Sequence, residues 1–300
     1  MKSNKVRSLS QKRTNRLGDV KKRGRSAPGS SGTIRRALAA ALKADFSTAL
    51  RVLAPLIEKG DPDALNMLGV MNALGDGVPL NPSKAVFFFR RAAAQGCSDA
   101  YLNLGMAYDQ GLGVRKDLPK AARWYQQAAE MGDSQAMHNL AWCYANGEGV
   151  RKDIKRAIEW WRSGAMSGDP SAQISLGYAY GHGWGVEKSR AKATKLYRQA
   201  AEAGELSAQY NLGVTLKDPR EAMKWLRKAA RQGHLQAQVI LAEMYEGQEG
   251  IRRNIAAAIK WYRKAADGGD GDAREHLREL ERSRRRKILS VARKQVSVTE

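Results

Sequence analysis

Residues 97–132 read CSDAYLNLGMAYDQGLGVRKDLPKAARWYQQAAEMG, and residues 133–168 read DSQAMHNLAWCYANGEGVRKDIKRAIEWWRSGAMSG. The two stretches are one pattern written twice. Working outward, Ala100 and Ala136 join a column that also holds Ala64, Ala172, Ala208, Ala237 and Ala273, spaced by 36 residues except for 29 between Ala208 and Ala237. Leu68, Leu104, Leu140, Leu176, Leu212, Leu241 and Leu277 keep the same register four residues later. An internal period of this length marks an array of supersecondary units, each burying its apolar face against its neighbours.

Each unit reads as two helices. In the first, helix A, Ala100, Leu104 and Tyr108 recur at i, i+4 and i+8 and share one stripe. Gly69, Gly105, Gly177 and Gly213 follow their leucines directly, with Ala141 and Ala242 in the other two units. A glycine inside a helix costs about 1 kcal/mol relative to alanine, so its recurrence implies close approach by a neighbouring helix. Helix B is predicted to start after Asn81, Asp117, Asp153, Ser189, Asp218 and Asn254, whose side-chain oxygens suit the orphan N–H groups of a helix start. Pro82 and Pro219 take the first helical position. Along helix B, Phe88, Trp124, Trp160, Trp225 and Trp261, with Leu196 as the exception, are in register with alanine columns and are assigned to the core; a second set, Tyr125, Trp161, Tyr197 and Tyr262, is expected to be half buried. Units close on Gly96, Gly132, Gly168, Gly204, Gly233 and Gly269.

Between the helices lies G-x-G-V, as in Gly111, Gly113 and Val114 or Gly147, Gly149 and Val150. A glycine-rich loop before a helix can cradle phosphate. This one follows a helix, lacks a Lys-Ser pair and recurs, so it reads as a turn that needs positive φ. The fifth unit is 29 residues long; the seven missing residues are assigned to this loop, so that Leu216 runs almost directly into Asp218 and Pro219 and a local change of superhelix shape is expected.

These columns resemble the Sel1-like repeat family, relatives of tetratricopeptide repeats. The resemblance implies an all-α, right-handed α/α superhelical solenoid. Six units are delimited as 61–96, 97–132, 133–168, 169–204, 205–233 and 234–269, after a basic, disordered arm (1–33) and a degenerate capping half-repeat (34–60), and before a capping helix and basic tail (270–300). It further implies a non-catalytic scaffold or adaptor, expected as a monomer, that holds a protein or peptide against a concave wall of A helices. Ligand-facing positions of such pairs fall two before and two after the leucine, here Leu102 and Met106, His138 and Trp142, Ile174 and Tyr178, Tyr210 and Val214. The first unit has Asn66 and Val70 there, the sixth Val239 and Glu243. Inter-repeat packing is the competing reading of the strip; aromatic anchors for a bound peptide are the functional one, with Trp142, Tyr178 and Tyr210 as the main anchors. Some secreted, disulfide-rich members are weak β-lactam hydrolases, but here the cysteines are only Cys97 and Cys143, in no metal or disulfide pattern.

No catalytic, cofactor or metal site is expected. His138, His182, His234 and His276 occupy four different columns without ligand spacing, and Cys143 reads as a packing thiol. The net charge is +22, of which residues 1–36 carry +11 and 274–300 carry +5, leaving +6 for the body between them. Lys21, Lys22, Arg23 and Arg25, with Arg284, Arg285, Arg286 and Lys287, therefore form a candidate electrostatic tether to nucleic acid or another anionic surface, through phosphate and without sequence preference. The start has no apolar signal core and no run reaches the ~20 apolar residues of a membrane helix, so the cytoplasm is the expected compartment. In a eukaryote, Lys21–Arg25 would also have the form of a nuclear signal, and the Arg-rich start that of a mitochondrial presequence.

Overall fold

The computed structural model describes residues 30–247 and 250–296, less the side chains of 30, 284, 285 and 287–296. Among the described residues there are fifteen α-helices and no strand. The first two are α1 (Ser30–Leu42) and α2 (Phe46–Glu58). Six A/B pairs follow: α3 (Pro62–Leu74) with α4 (Pro82–Ala93), α5 (Ser98–Gln110) with α6 (Leu118–Glu130), α7 (Ser134–Asn146) with α8 (Ile154–Met166), α9 (Pro170–His182) with α10 (Arg190–Glu202), α11 (Leu206–Thr215) with α12 (Pro219–Arg231), and α13 (Leu235–Gly247) with α14 (Ile255–Asp267). The last helix is α15 (Gly271–Val296). The protein is an all-α repeat solenoid. It divides into two compact units, one through Gly164 and the other from Ala165, the division falling within α8.

In the first unit, α3 packs on α4, α4 on α5, α5 on α6 and α6 on α7. One core runs from Ile34 to Ala107 and takes in α1 and α2. The segment expected as half a repeat is therefore a complete helix pair, and α1 begins inside the predicted arm, at Ser30. Its Ile34, Ala37, Leu38 and Ala41 form a buried stripe with no Leu-Gly step, which is why the repeat columns do not reveal it. In the second unit the same succession runs from α9 to α15.

All six predicted N-caps of helix B accept a backbone N–H, from Lys84, Lys120, Arg156, Lys192, Glu221 and Ala257, at 2.9–3.3 Å. The A helices use a second set, Asp61, Asp133 and Asp169, at 2.7–3.0 Å. These caps fix where all six B helices and three of the A helices start.

The glycine after each leucine meets its own partner helix. A Cβ on Gly69 would lie 2.5 Å from the Phe89 ring, one on Gly177 2.8 Å from Tyr197, and one on Gly213 2.6 Å from Leu226; on Gly105 it would collide with the Tyr125 ring. The two aromatic sets are thus reversed from the expectation. Tyr125, Trp161, Tyr197 and Tyr262 are the buried ones, whereas Trp124, Trp160 and Trp225 are half exposed. Only Phe88 and Trp261 of the first set are buried.

The shortened fifth repeat also departs from the expectation. Its connection is residues 216–218, but α11 has 10 residues where the other A helices have 13. The deletion removes four loop residues and the last helical turn. Arg190 Nε donates to the Thr215 carbonyl at 2.6 Å, satisfying one of the carbonyls that the truncation exposes.

The loop glycines adopt positive φ, as the turn reading requires: Gly111 and Gly113 both sit at 72°. Only the second also approaches another repeat. A Cβ on Gly113 would overlap the backbone of Pro82 at the start of the preceding helix B, and Ser83 Oγ donates to the Gly113 carbonyl at 3.3 Å. Gly149 stands in the same relation to Leu118 and Pro119. Gly111→Ala is expected to cost about 1 kcal/mol, the left-handed strain alone. Gly113→Ala adds a collision with backbone that cannot rotate away and should cost roughly 3 kcal/mol or more. Urea unfolding of the two variants tests this ranking, and equal losses would contradict it.

Candidate functional site

The A helices contain no lysine or arginine. Their surface offers apolar and aromatic groups, so the strip two residues either side of the leucine is decided by burial. The earlier position is mostly packing. Asn66 and Leu102 are buried, and His138, Ile174, Tyr210 and Val239 are half buried. Asn103 Nδ2 donates to Asn66 Oδ1 at 2.8 Å, tying the first two repeats together. The later position changes along the chain. Val70 is buried, Met106 is half buried beside a small apolar cavity that Val70 and Phe89 also line, and from the third repeat onward the side chain reaches solvent. Trp142 is 39% exposed, Tyr178 48% and Val214 45%, followed by the exposed Glu243.

In the first unit, the Trp142 ring stands edge-on to the buried Trp161 at 5.5 Å, and its Nε1 donates to His138 Nε2 at 3.1 Å. That bond requires His138 to be neutral, with its proton on Nδ1. Burial acts in the same direction and pulls the imidazole down to about 4. In the second unit, Tyr178 stacks on His182 at 3.9 Å and meets Trp184 edge-on at 6.3 Å, while Tyr210 stacks on His234 at 4.4 Å. His182 and Trp184 are additions that the strip did not predict; the i, i+4 spacing of Tyr178 and His182 was the available signal. Phe87, 54% exposed under Arg91, was also unforeseen. Of the anchors named from sequence, Trp142 and Tyr178 are presented to solvent, and Tyr210 is half buried against its histidine.

Residues 62–97, 98–133, 134–169, 170–205, 206–234 and 235–270 each match the Sel1 repeat. The chain belongs to the Sel1 repeat family. A protective antigen of uropathogenic Escherichia coli strains that displays an SLR fold is similar at 36% identity, over 77% of this chain and 51% of that one, with a TM-score of 0.68. This chain thus spans about half the length of that antigen. A Sel1 repeat protein from Oxalobacter formigenes is similar at 29% identity, over 78% of this chain and 96% of that one, with a TM-score of 0.67. No curated protein matches the chain. Sel1 repeat proteins are generally scaffolds for protein–protein interaction.

Burial pushes the Cys97 and Cys143 thiols up to about 12, far from the thiolate that a nucleophile needs. Among the described residues no group of His, Cys, Asp and Glu could hold a metal ion, and no helix is long and apolar enough to cross a membrane. Of the candidate tether, Lys21, Lys22, Arg23 and Arg25 lie outside the described residues, as do the side chains of Arg284, Arg285 and Lys287; Arg286 is exposed on α15.

His138 makes the aromatic pair sensitive to acid. Its unfolded value is near 6.5 and its folded value near 4. Below pH 6.5 the unfolded chain therefore binds more protons, and stability declines as pH falls from about 6.5 to 4. The loss attributable to His138 should approach about 2–3 kcal/mol at pH 4. His138→Gln keeps an acceptor for Trp142 and should flatten that part of the profile, as measured by urea unfolding at pH 7 and pH 4.

Proposed function

We propose that this protein is a scaffold whose helix-A faces hold a peptide or an extended segment of another protein. The observation that carries the reading is the exposure of Trp142, Tyr178 and Val214 at one repeat position. Three large apolar side chains at solvent on helices without a single lysine or arginine are poorly explained by solubility. Each aromatic is also braced, Trp142 by Trp161 and His138, Tyr178 by His182 and Trp184. A braced ring loses little rotamer freedom on binding, which suits an anchor. Tyr210, half buried and stacked on His234, is assigned a lesser share of the contact.

Peptides selected on the full-length protein from a displayed library supply the ligand for the test. Trp142→Ala combined with Tyr178→Ala is expected to weaken their binding by about 30-fold or more, since a central aromatic anchor is worth about 2 kcal/mol. Fluorescence anisotropy reads the affinity, and a melting temperature close to wild type certifies the fold. Unchanged affinity in a folded double variant would overturn the reading.

A further inference from the structure

The +6 of the repeat body conceals a partition of charge. The six B helices carry twenty Lys and Arg against five acids, whereas the six A helices carry no base and five acids. In the second unit, α10, α12 and α14 hold twelve bases and three acids. These bases fall in register. Lys195, Lys224 and Lys260 each lie two residues after the column alanine, and Arg198, Arg227 and Arg263 lie one turn further on. The buried side of α10 is Ala193, Tyr197, Ala200 and Ala201. At about 100° per residue, Lys195 points almost directly away from the mean of that side. All three lysines are exposed, and among the described residues none is ion-paired. Of the arginines, Arg198 pairs with Glu221 at 2.7 Å, Arg263 with Glu281 at 2.6 Å, and Arg227 donates to the Tyr245 hydroxyl at 2.7 Å.

We infer that this helix-B stripe of the second unit binds nucleic acid through the phosphate backbone. Three observations select that partner. The charge is dense, predominantly basic and repeated from helix to helix, which matches a polymer carrying one negative charge per about 1.7 Å of duplex. None of the exposed large hydrophobic side chains lies on α10, α12 or α14, so the stripe lacks the apolar groups by which an amphipathic surface enters a membrane. A protein interface of ordinary kind would put aromatic or aliphatic anchors at its centre. Here the available rings are covered by the protein's own cations: Lys228 Nζ lies 3.9 Å over Trp225 and Lys264 Nζ 4.8 Å over Trp261. The stripe therefore presents held charge and no free stacking platform, and its binding is independent of base sequence.

The test uses the full-length protein and a labelled 20-base-pair DNA duplex of arbitrary sequence, with affinity read by anisotropy from about 50 to 200 mM salt. Lys195→Gln, Lys224→Gln and Lys260→Gln together should reduce the slope of log affinity against log salt by about 2–3, because each neutralised phosphate contributes about 0.9 to it. The same three positions changed to arginine should restore it. If the Gln variant binds as wild type does while a Lys21→Gln, Lys22→Gln, Arg23→Gln variant takes all the loss, the inference falls and the arm is the binding element. It falls equally if the three lysines matter for phosphatidylserine vesicles or polyglutamate but not for the duplex. The substituted lysines are exposed, so the melting temperature should stay near wild type.

Discussion

The contact on which each helix pair depends is the ring of helix B laid over the small residue of helix A. In four repeats that residue is a glycine, and in three of these a ring fills the space a Cβ would take: Phe89 over Gly69, Tyr125 over Gly105 and Tyr197 over Gly177. Ala141 and Ala242 occupy the slot in the repeats whose buried rings are Trp161 and Tyr262. A missing methyl group on one helix admits a large apolar side chain from the other, and interior packing density makes such a fit restrictive. The fit also fixes how helix B is rotated about its own axis. Once Tyr197 lies under Gly177, Ala193, Ala200 and Ala201 must turn inward, and Lys195 must turn outward.

That rotation explains both what was legible in the sequence and what was not. The repeat period, the caps and the positive-φ turns followed from columns of Ala, Leu, Asp, Asn and Gly, because each has a local cause that needs no partner. The assignment of the two aromatic sets required a partner. Tyr197 lies about 25° from the mean direction of the buried alanines of α10, whereas position 196 lies about 75° away. The helical wheel therefore contained the answer. The tryptophans misled because their recurrence along the chain is conspicuous and their angle is not. The fifth repeat misled similarly: a deletion reads as lost loop, but loss of a helical turn is tolerated where Arg190 caps the exposed Thr215 carbonyl.

The candidate site was half legible. Both positions around the leucine lie on the A helix, but only the later one reaches solvent, and only from Trp142 onward. Earlier in the chain, Val70 and Met106 line a small apolar cavity together with Phe89 and Asn103. Packing of that kind is a tertiary fact with no marker at the position itself. The histidine partners of Trp142, Tyr178 and Tyr210 were equally invisible as a group, because they occupy different columns. What unites His138, His182 and His234 is an aromatic ring beside each, reached from a different backbone position every time.

A B helix such as α10 buries one stripe and leaves the rest of its surface free, whereas an A helix such as α3 is buried almost all round. The two helices of a pair have taken opposite compositions. The A helices exclude Lys and Arg while exposing Trp142 and Tyr178, and the B helices collect the bases. A mixed surface would have served solubility as well. Segregation has a consequence that mixing lacks: the A helices offer a polyanion no cation, and the B helices offer it twenty. The net charge of the body, +6, combines these two unlike surfaces with the loops and flanking helices and describes neither. In a repeat protein the informative charge count is taken by helix class, because that is the unit which meets a partner.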